Sequence, residues 1–335
     1  MNHLAVVGAT GAVGREVCKL VETHGLRLEK LKLLASARSA GTSIEVSGTS
    51  RKVEELTADS FADVDVAIFS AGGDRSREFA PIAARAGCTV IDNSSAFRMA
   101  PDTPLVVPEI NPQDLENHKG IIANPNCSTI IMNMVVWPLH RRNPVERIVV
   151  STYQAASGAG AAAMEELERQ TRQVLEGQPP VMDVFPVPCA FNLFSHNTPI
   201  GDDGYNTEER KMIDETHKIF HDDSIRISAT CVRVPVLRAH SESINLTFAN
   251  PMAADQAREI LLNTPGVVVV DDRDGNRFPM PIDASGREEC LVGRIRQDVS
   301  QPDGRGIELF VAGDQLLKGA ALNAVQIYEH LLKMA

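Results

Sequence analysis

The sequence predicts an α/β chain: a doubly wound parallel sheet first, then an α+β domain with a mixed or antiparallel sheet. Three observations predict it. The chain has 335 residues, and at roughly 100–200 residues per domain that length makes two domains. Over the first third, short apolar runs alternate with helical patterns, the signature of βαβ units and a parallel sheet. From about Val145 the texture changes. Strand-like runs there alternate more and lack regular crossover helices.

Taken in order, His3–Val7 reads as a strand, followed by a glycine turn and a helix over Val13–Thr23. Leu31–Ala35 and Val64–Ser70 are strands, Arg75–Ala86 a helix and Cys88–Asp92 a strand. Arg147–Tyr153 opens the second part as a strand, and the Ala-, Glu- and Arg-rich Gly160–Leu175 is a helix. Gln178–Asn206 holds several Pro and Asn residues and reads as a long loop. Glu208–Phe220 is helical. Strands are expected at Ile227–Pro235, Ser243–Ala249, Cys290–Asp298 and Gly306–Ala312. An apolar-faced helix over Gln315–Lys333 closes the chain and is expected to pack back on the first domain. The domains are therefore 1–126 with 315–335, and 127–314.

Composition narrows the function classes. A hydrophobic fraction of 43% and a charged fraction of 23% are those of an ordinary globular protein. The net charge of −11 disfavours nucleic acid and anionic membrane surfaces as partners. An anionic substrate would need cations placed locally in the site. No stretch approaches the ~20 apolar residues that span a bilayer. The opening MNHLAVVGATGAVG has no basic segment ahead of an apolar one, so no signal peptide is read and a cytoplasmic location is expected. Six cysteines (Cys18, Cys88, Cys127, Cys189, Cys231, Cys290) are scattered without a C-x-x-C pair. Neither a metal site nor a disulfide framework is expected.

Gly8-Ala9-Thr10-Gly11-Ala12-Val13-Gly14 follows the first strand and opens a helix. Glycines there allow a tight turn and close backbone approach to a pyrophosphate at the positive helix N-terminus. Gly8, Thr10, Gly11, Ala12 and Val13 are the candidate cofactor contacts of a Rossmann-like domain. The spacing is G-x-x-G-x-x-G rather than G-x-G-x-x-G, and a glycine-rich turn without a ligand is the alternative. An NAD site would place an acid after the second strand to hold the ribose hydroxyls. Here the segment is Leu34-Ala35-Ser36-Ala37-Arg38-Ser39. Ser36, Arg38 and Ser39 suit a 2′-phosphate, which favours NADP; a solvated loop arginine is the competing reading of Arg38.

Asn124-Pro125-Asn126-Cys127-Ser128-Thr129 precedes the apolar run Ile130–Leu139. Pro and Asn break the chain and the run has helical length, so Cys127 falls at a helix start. The positive end of that helix favours a thiolate. Cysteines at helix starts are also often structural, and spacing alone leaves both readings open.

This segment resembles the nucleophile motif of the aspartate-β-semialdehyde dehydrogenase family. Four more segments resemble that family in order: Ser94–Arg98, Tyr153–Gly160, Glu208–Met212, and Arg233-Val234-Pro235-Val236-Leu237-Arg238-Ala239-His240-Ser241-Glu242. The resemblance extends from the Gly8 loop to Lys318–Ala321. It implies a catalytic and dimerisation domain after the Rossmann-like one, a homodimer, and roles for named residues. Cys127 attacks the carbonyl carbon and passes through a thioester. His240 is the acid/base, and Gln154 orients substrate and thiol. Arg233 clamps the substrate α-carboxylate with a planar fork. Arg98, Lys211 and Asn126 hold phosphate. Glu208, three residues before Lys211 on one helix face, pairs with the substrate amino group. Ser157, Gly158 and Gln315 lie on the nicotinamide side of NADP. The implied reaction is reversible NADPH-dependent reduction of L-aspartyl 4-phosphate to L-aspartate 4-semialdehyde and phosphate. It serves lysine, threonine, methionine and diaminopimelate biosynthesis.

Two positions depart from the family's Asp-Asn-Leu-Arg-Lys-Gly-Ala-Ala segment. Gln315 stands for asparagine and is one methylene longer; Leu317 stands for arginine. The alternatives are N-acetyl-γ-glutamyl-phosphate reductase, whose nucleophile is typically preceded by Gly and followed by Tyr-Pro, and a non-catalytic NADP-binding paralogue. Asn126 and Ser128 argue against the first. The presence of both Cys127 and His240 argues against the second.

Overall fold

The structure is a computed structural model that describes residues 2–334. It divides into two compact units. One runs to Asn126 and takes up the chain again from Ala320; the other is Cys127–Gly319.

The first unit begins with β1 (His3–Val7), α1 (Ala12–Thr23), β2 (Lys30–Ala35), β3 (Ser43–Val46) and β4 (Thr49–Glu55). It continues with β5 (Val66–Phe69), α2 (Gly73–Arg85), β6 (Thr89–Asp92) and β7 (Ile121–Ala123). Its sheet runs β3-β4-β2-β1-β5-β6-β7. All pairs are parallel except the β3–β4 hairpin. The chain winds outward from β1 in one direction through β2 and β4, then in the other through β5, β6 and β7. That reversal is the topological switch point of a doubly wound sheet. β1, β5 and β6 are buried along nearly their whole length, as strands covered on both faces must be. Phe61 and Phe69 stack at 5.8 Å between centroids within that core.

The second unit holds α3 (Cys127–His140), β8 (Val145–Gln154), α4 (Ala161–Leu175), β9 (Phe194–Ser195), α5 (Thr207–Phe220), β10 (Arg226–Arg233) and β11 (His240–Phe248). It ends with α6 (Ala254–Leu262), β12 (Val267–Val269), α7 (Pro281–Ala284), β13 (Cys290–Gln297) and β14 (Gly306–Gly313). Its sheet runs β12-β13-β14-β11-β8-β10-β9. The sheet is mixed. β10 lies parallel to β8 and β12 to β13; the other pairs are antiparallel. The β8–β10 pair is joined by a crossover through α4 and α5, which the expectation of no regular crossovers missed. α3 is apolar on every side and almost wholly buried, packed against β8, β11, β13 and β14. A Cβ on Gly313 of β14 would lie 2.9 Å from the Ile131 side chain. Glycine there lets α3 descend onto the sheet.

Four other expectations are corrected. The β3–β4 hairpin, β12 and α6 were not read from the sequence. β11 begins at His240, three residues before the expected Ser243. A short β9 breaks the Gln178–Asn206 loop. The helix expected over Gln315–Lys333 is interrupted: Leu317–Ala321 form a π-helical turn, and α8 is Leu322–Met334. The cause is local. The Asp314 carboxylate takes the N–H groups of Leu316 and Leu317 at 2.9 and 3.2 Å. Gly319 is pressed so close to Cys127 that its missing Cβ would lie 2.8 Å from the cysteine's. Gln315–Gly319 therefore belongs to the second unit, while α8 packs beside α1 in the first, with His24 Nδ1 2.9 Å from Glu329.

Candidate functional site

In the first unit the Gly8–Gly14 turn sits at the C-terminal end of β1. Gly8 has φ +85°, and a Cβ on it would fall 2.3 Å from the Ser70 carbonyl oxygen. A Cβ on Gly14 would fall 2.2 Å from the Gly8 oxygen. Both glycines are required by this packing. Gly11 is the N-cap of α1 and no side chain caps the helix. The first-turn N–H groups at Ala12 and Val13 thus fit a pyrophosphate. Thr10 carbonyl oxygen accepts from Arg15 at 3.2 Å. After β2, Ser36 and Arg38 are exposed in a turn closed by Ser39 N–H donating to the Ser36 oxygen at 2.9 Å, with no acidic side chain in it.

The same unit positions Arg98. Asp92, at the end of β6, accepts from Ser76 Oγ at 2.7 Å and from Ser94 N–H and Oγ at 3.0 and 2.7 Å. That fixes the turn leading to Arg98, which donates from Nε to Asn124 O at 2.9 Å and from Nη2 to Asn93 O at 2.8 Å. Asn124 is held in turn by Asn323 at 2.6 Å, so the stretch ending at Asn126 is rigidly seated.

In the second unit the register lays a row of polar side chains across the end of the sheet. Arg233 on β10 stands opposite Gln154 on β8. Ser241 on β11 stands opposite Tyr153, which sets His240 beside Gln154. Arg233, Gln154 and His240 are all buried. The start of α3 reaches the same row: Gln154 Nε2 donates to Ser128 Oγ at 2.9 Å and to Glu208 at 3.4 Å. Cys127 is half-buried and opens that helix. Glu208 pairs with Lys211 at 3.0 Å, and an Asn206–Glu209 capping box fixes the start of their helix. A Cβ on Gly158 would lie 3.0 Å from His240 Nε2 and 3.2 Å from Arg233 Nη1. Glycine keeps the space between them open.

Arg233 is held from two sides. Nη1 donates to Ala155 O at 2.6 Å and Nη2 to His196 Nε2 at 2.9 Å, while its guanidinium lies 5.5 Å over the Phe185 ring. Its Nε is buried and has no partner among the described residues. A buried guanidinium with an unused N–H fits an incoming carboxylate. Burial lowers the pKa of Arg233; the Glu208 carboxylate opposes that shift. The sequence reading missed His196, Phe185 and the residue behind them. His196 is brought in by the antiparallel β9–β10 pairing. Burial holds its pKa down to about 4, so it is neutral and accepts from Arg233. Its other nitrogen reaches Thr198 Oγ1 at 3.3 Å, which also accepts the Glu208 N–H. Phe185 is seated because Glu166, on α4, takes the N–H groups of Asp183, Val184 and Phe185 at 2.6, 2.5 and 3.2 Å. A histidine in a Pro/Asn-rich loop offers no periodic signal that could have found it.

Gln315 is buried, accepts Ala239 N–H at 2.9 Å and donates to Ser157 Oγ. It thereby steadies Ala239, which has φ +73°, immediately before His240. Arg238, left open by the sequence, pairs with Asp314 at 2.7 Å. Leu317 is buried, and nothing in the structure explains its replacement of arginine. Among the described residues no His/Cys/Asp/Glu group is arranged to hold a metal, and no helix is long and apolar enough to cross a membrane.

Two family models match the chain: the semialdehyde dehydrogenase NAD-binding domain over residues 3–118 and the semialdehyde dehydrogenase dimerisation domain over 136–318. Aspartate-semialdehyde dehydrogenase of Synechocystis sp. is 53% identical over 331 residues, covering 99% of this chain and 97% of the relative. The chain belongs to the aspartate-semialdehyde dehydrogenase family. The Aquifex aeolicus member is 50% identical over 99% of this chain and 98% of its own length. A solved structure of aspartate semialdehyde dehydrogenase II from Vibrio cholerae, complexed with ASA, is 42% identical. It superposes with a TM-score of 0.96 over 99% of this chain and 98% of that one. The chain is thus an oxidoreductase of this family with a nicotinamide-nucleotide-binding domain and a dimerisation domain, and the Rossmann-like plus α+β expectation holds.

One buried acid beneath the row yields a stability prediction. Glu242 is two residues beyond His240 on β11 and fully buried, and neither carboxylate oxygen has a partner among the described residues. Burial raises its pKa well above 4.5. A raised folded-state pKa contributes stability that is complete below about 4.5 and is lost as pH rises towards the folded-state value. Glu242→Gln does not titrate. Its stability relative to the parent should therefore improve by up to about 1.4 kcal/mol per pH unit between pH 5 and 8. Urea denaturation at several pH values checks this, and a pH-independent difference would contradict it.

Proposed function

We propose that the protein catalyses the reversible NADPH-dependent reduction of L-aspartyl 4-phosphate to L-aspartate 4-semialdehyde and phosphate, through a thioester on Cys127. The observation that carries this reading is the convergence at one sheet end of Cys127 at a helix start, buried His240 and a buried Arg233 with an unused N–H. The reduced nicotinamide supplies a hydride when bound. Every other task falls to side chains. Arg233 clamps the α-carboxylate and Glu208 receives the amino group. Gln154, tied to Ser128, keeps the thiol and carbonyl aligned. Arg98, Asn126 and Lys211 hold the phosphate. Gly8, Thr10, Gly11, Ala12 and Val13 receive the pyrophosphate, and Ser36, Arg38 and Ser39 the 2′-phosphate. Ser157 and Gly158 face the nicotinamide; Gln315 steadies Ser157. The enzyme works as a homodimer in the cytoplasm, where a thiol nucleophile stays reduced, and feeds lysine, threonine, methionine and diaminopimelate synthesis.

A steady-state assay in the oxidative direction tests the reading. With aspartate 4-semialdehyde, reduction should require phosphate and favour NADP over NAD. Equal use of NAD would remove the role of Arg38. Turnover of the N-acetylglutamate semialdehyde instead would overturn the substrate assignment.

A further inference from the structure

Resting on Arg233 as the clamp for the substrate α-carboxylate, we propose that Glu166 and Gln170 of α4 are positioning residues for substrate binding. They hold the 181–190 loop so that Phe185 fixes the Arg233 guanidinium. The two stand one turn apart on a single helix face, and both are buried. Buried polar side chains are costly unless they are bonded. These two are bonded to a stretch of chain that has no helix or strand of its own. Glu166 Oε2 accepts the N–H groups of Asp183 and Val184 at 2.6 and 2.5 Å, and Oε1 accepts that of Phe185 at 3.2 Å. Gln170 Oε1 accepts the N–H groups of Cys189 and Ala190 at 2.8 and 3.2 Å. Gln170 Nε2 donates to Val181 O and to Glu166 Oε1, both at 3.1 Å. The helix thereby supplies the partners that a buried loop backbone otherwise lacks.

What the loop delivers is a wall for Arg233. Phe185 and Cys189 are buried in one apolar cluster with Ala156, Ala163 and Leu167. Phe185 meets the Phe194 ring edge-on at 5.7 Å, and Phe194 stands opposite Arg233 in the β9–β10 register. The Phe185 face then lies 5.5 Å from the guanidinium carbon. Ala155 O and His196 Nε2 hold the two Nη atoms, and the ring limits the tilt of the plane. Together the three contacts leave the buried Nε, which has no partner among the described residues, in one fixed direction. A pre-oriented fork binds a carboxylate without first having to order itself. Glu166 and Gln170 therefore act through Phe185, on substrate binding rather than on the chemical step.

The experiment has a kinetic arm and a spectroscopic arm. Glu166→Gln places an amide NH2 among the loop N–H groups and releases the loop. It should raise the semialdehyde KM by about 5–30-fold, with kcat within about threefold of the parent and the NADP KM unchanged. Phe185→Leu keeps apolar volume but removes the ring face, and should raise the same KM by about 5–30-fold. Phe185→Tyr restores the face and should recover most of that rise. In the double variant of Glu166→Gln with Phe185→Leu, the KM should exceed that of the worse single variant by no more than about twofold, because both act through one contact. A merely structural role would lower kcat, raise both KM values and multiply in the double variant. If Glu166→Gln does not fold, the two Phe185 variants decide the kinetic arm.

The spectroscopic arm uses full-length protein labelled with ¹⁵N-arginine. The Arg233 Nε–H signal is identified by its loss in Arg233→Lys. It should exchange with solvent at least about tenfold faster in Glu166→Gln and in Phe185→Leu than in the parent. An unchanged semialdehyde KM in Phe185→Leu, a multiplied effect in the double variant, or unchanged Arg233 exchange would each overturn the proposal. The spectroscopic arm needs no substrate. A parent that does not turn over the semialdehyde would sink the reaction proposed above and leave this arm to decide the seat of Arg233.

Discussion

Cys127→Ala is expected to reduce turnover by at least about 10⁴-fold, with NADP binding unchanged. The size follows from the chemistry. Without sulfur no thioester forms, and phosphate has no activated acyl group to attack. Cys127→Ser should do little better, because an alcohol is a far weaker nucleophile than a thiolate at neutral pH. Cys127 is half-buried at the first position of α3, so either change should cost only about 1 kcal/mol of stability. Steady-state kinetics beside a nucleotide titration separates loss of chemistry from loss of fold.

Arg233→Leu is the second large effect. Removing one partner of a buried charge pair costs about 2–5 kcal/mol, so kcat/KM for the semialdehyde should fall by roughly 30- to 5,000-fold. The loss should appear in the semialdehyde KM more than in the phosphate KM. Arg98→Leu should show the reverse pattern. Arg233→Lys should recover little, since one ammonium cannot reach the Ala155 carbonyl, His196 and a carboxylate together. If both leucine variants altered only the phosphate dependence, the assignment of the two cations to different anions would be wrong.

The parts of this protein that local chemistry dictates were legible in the sequence. Gly8–Gly14 announces a turn into a helix because only glycine fits beside Ser70 and the Gly8 carbonyl. Cys127 was singled out because Pro125 and Asn126 end one element before an apolar helix begins. What joins distant segments was not legible. Cys127 and His240 were linked by family resemblance alone. The pairing that puts Arg233, Gln154 and His240 in one row belongs to three strands far apart in the chain. His196 and Glu166 act through loop carbonyls and N–H groups that no side-chain pattern announces. The closing helix was misread for a related reason. Its apolar period continues through Gln315–Gly319, but tertiary contact with Cys127 outweighs it and the chain takes a π-helical turn.

The central claim is an acyl group carried on Cys127, and trapping that group tests it most directly. Protein mixed with aspartate 4-semialdehyde and NADP, without phosphate, should be quenched in acid, digested and weighed by mass spectrometry. The account predicts an acyl adduct on the peptide bearing Cys127, formed together with a burst of NADPH and discharged when phosphate is added before the quench. A burst with no adduct, or an adduct on another residue that phosphate discharges, would contradict it.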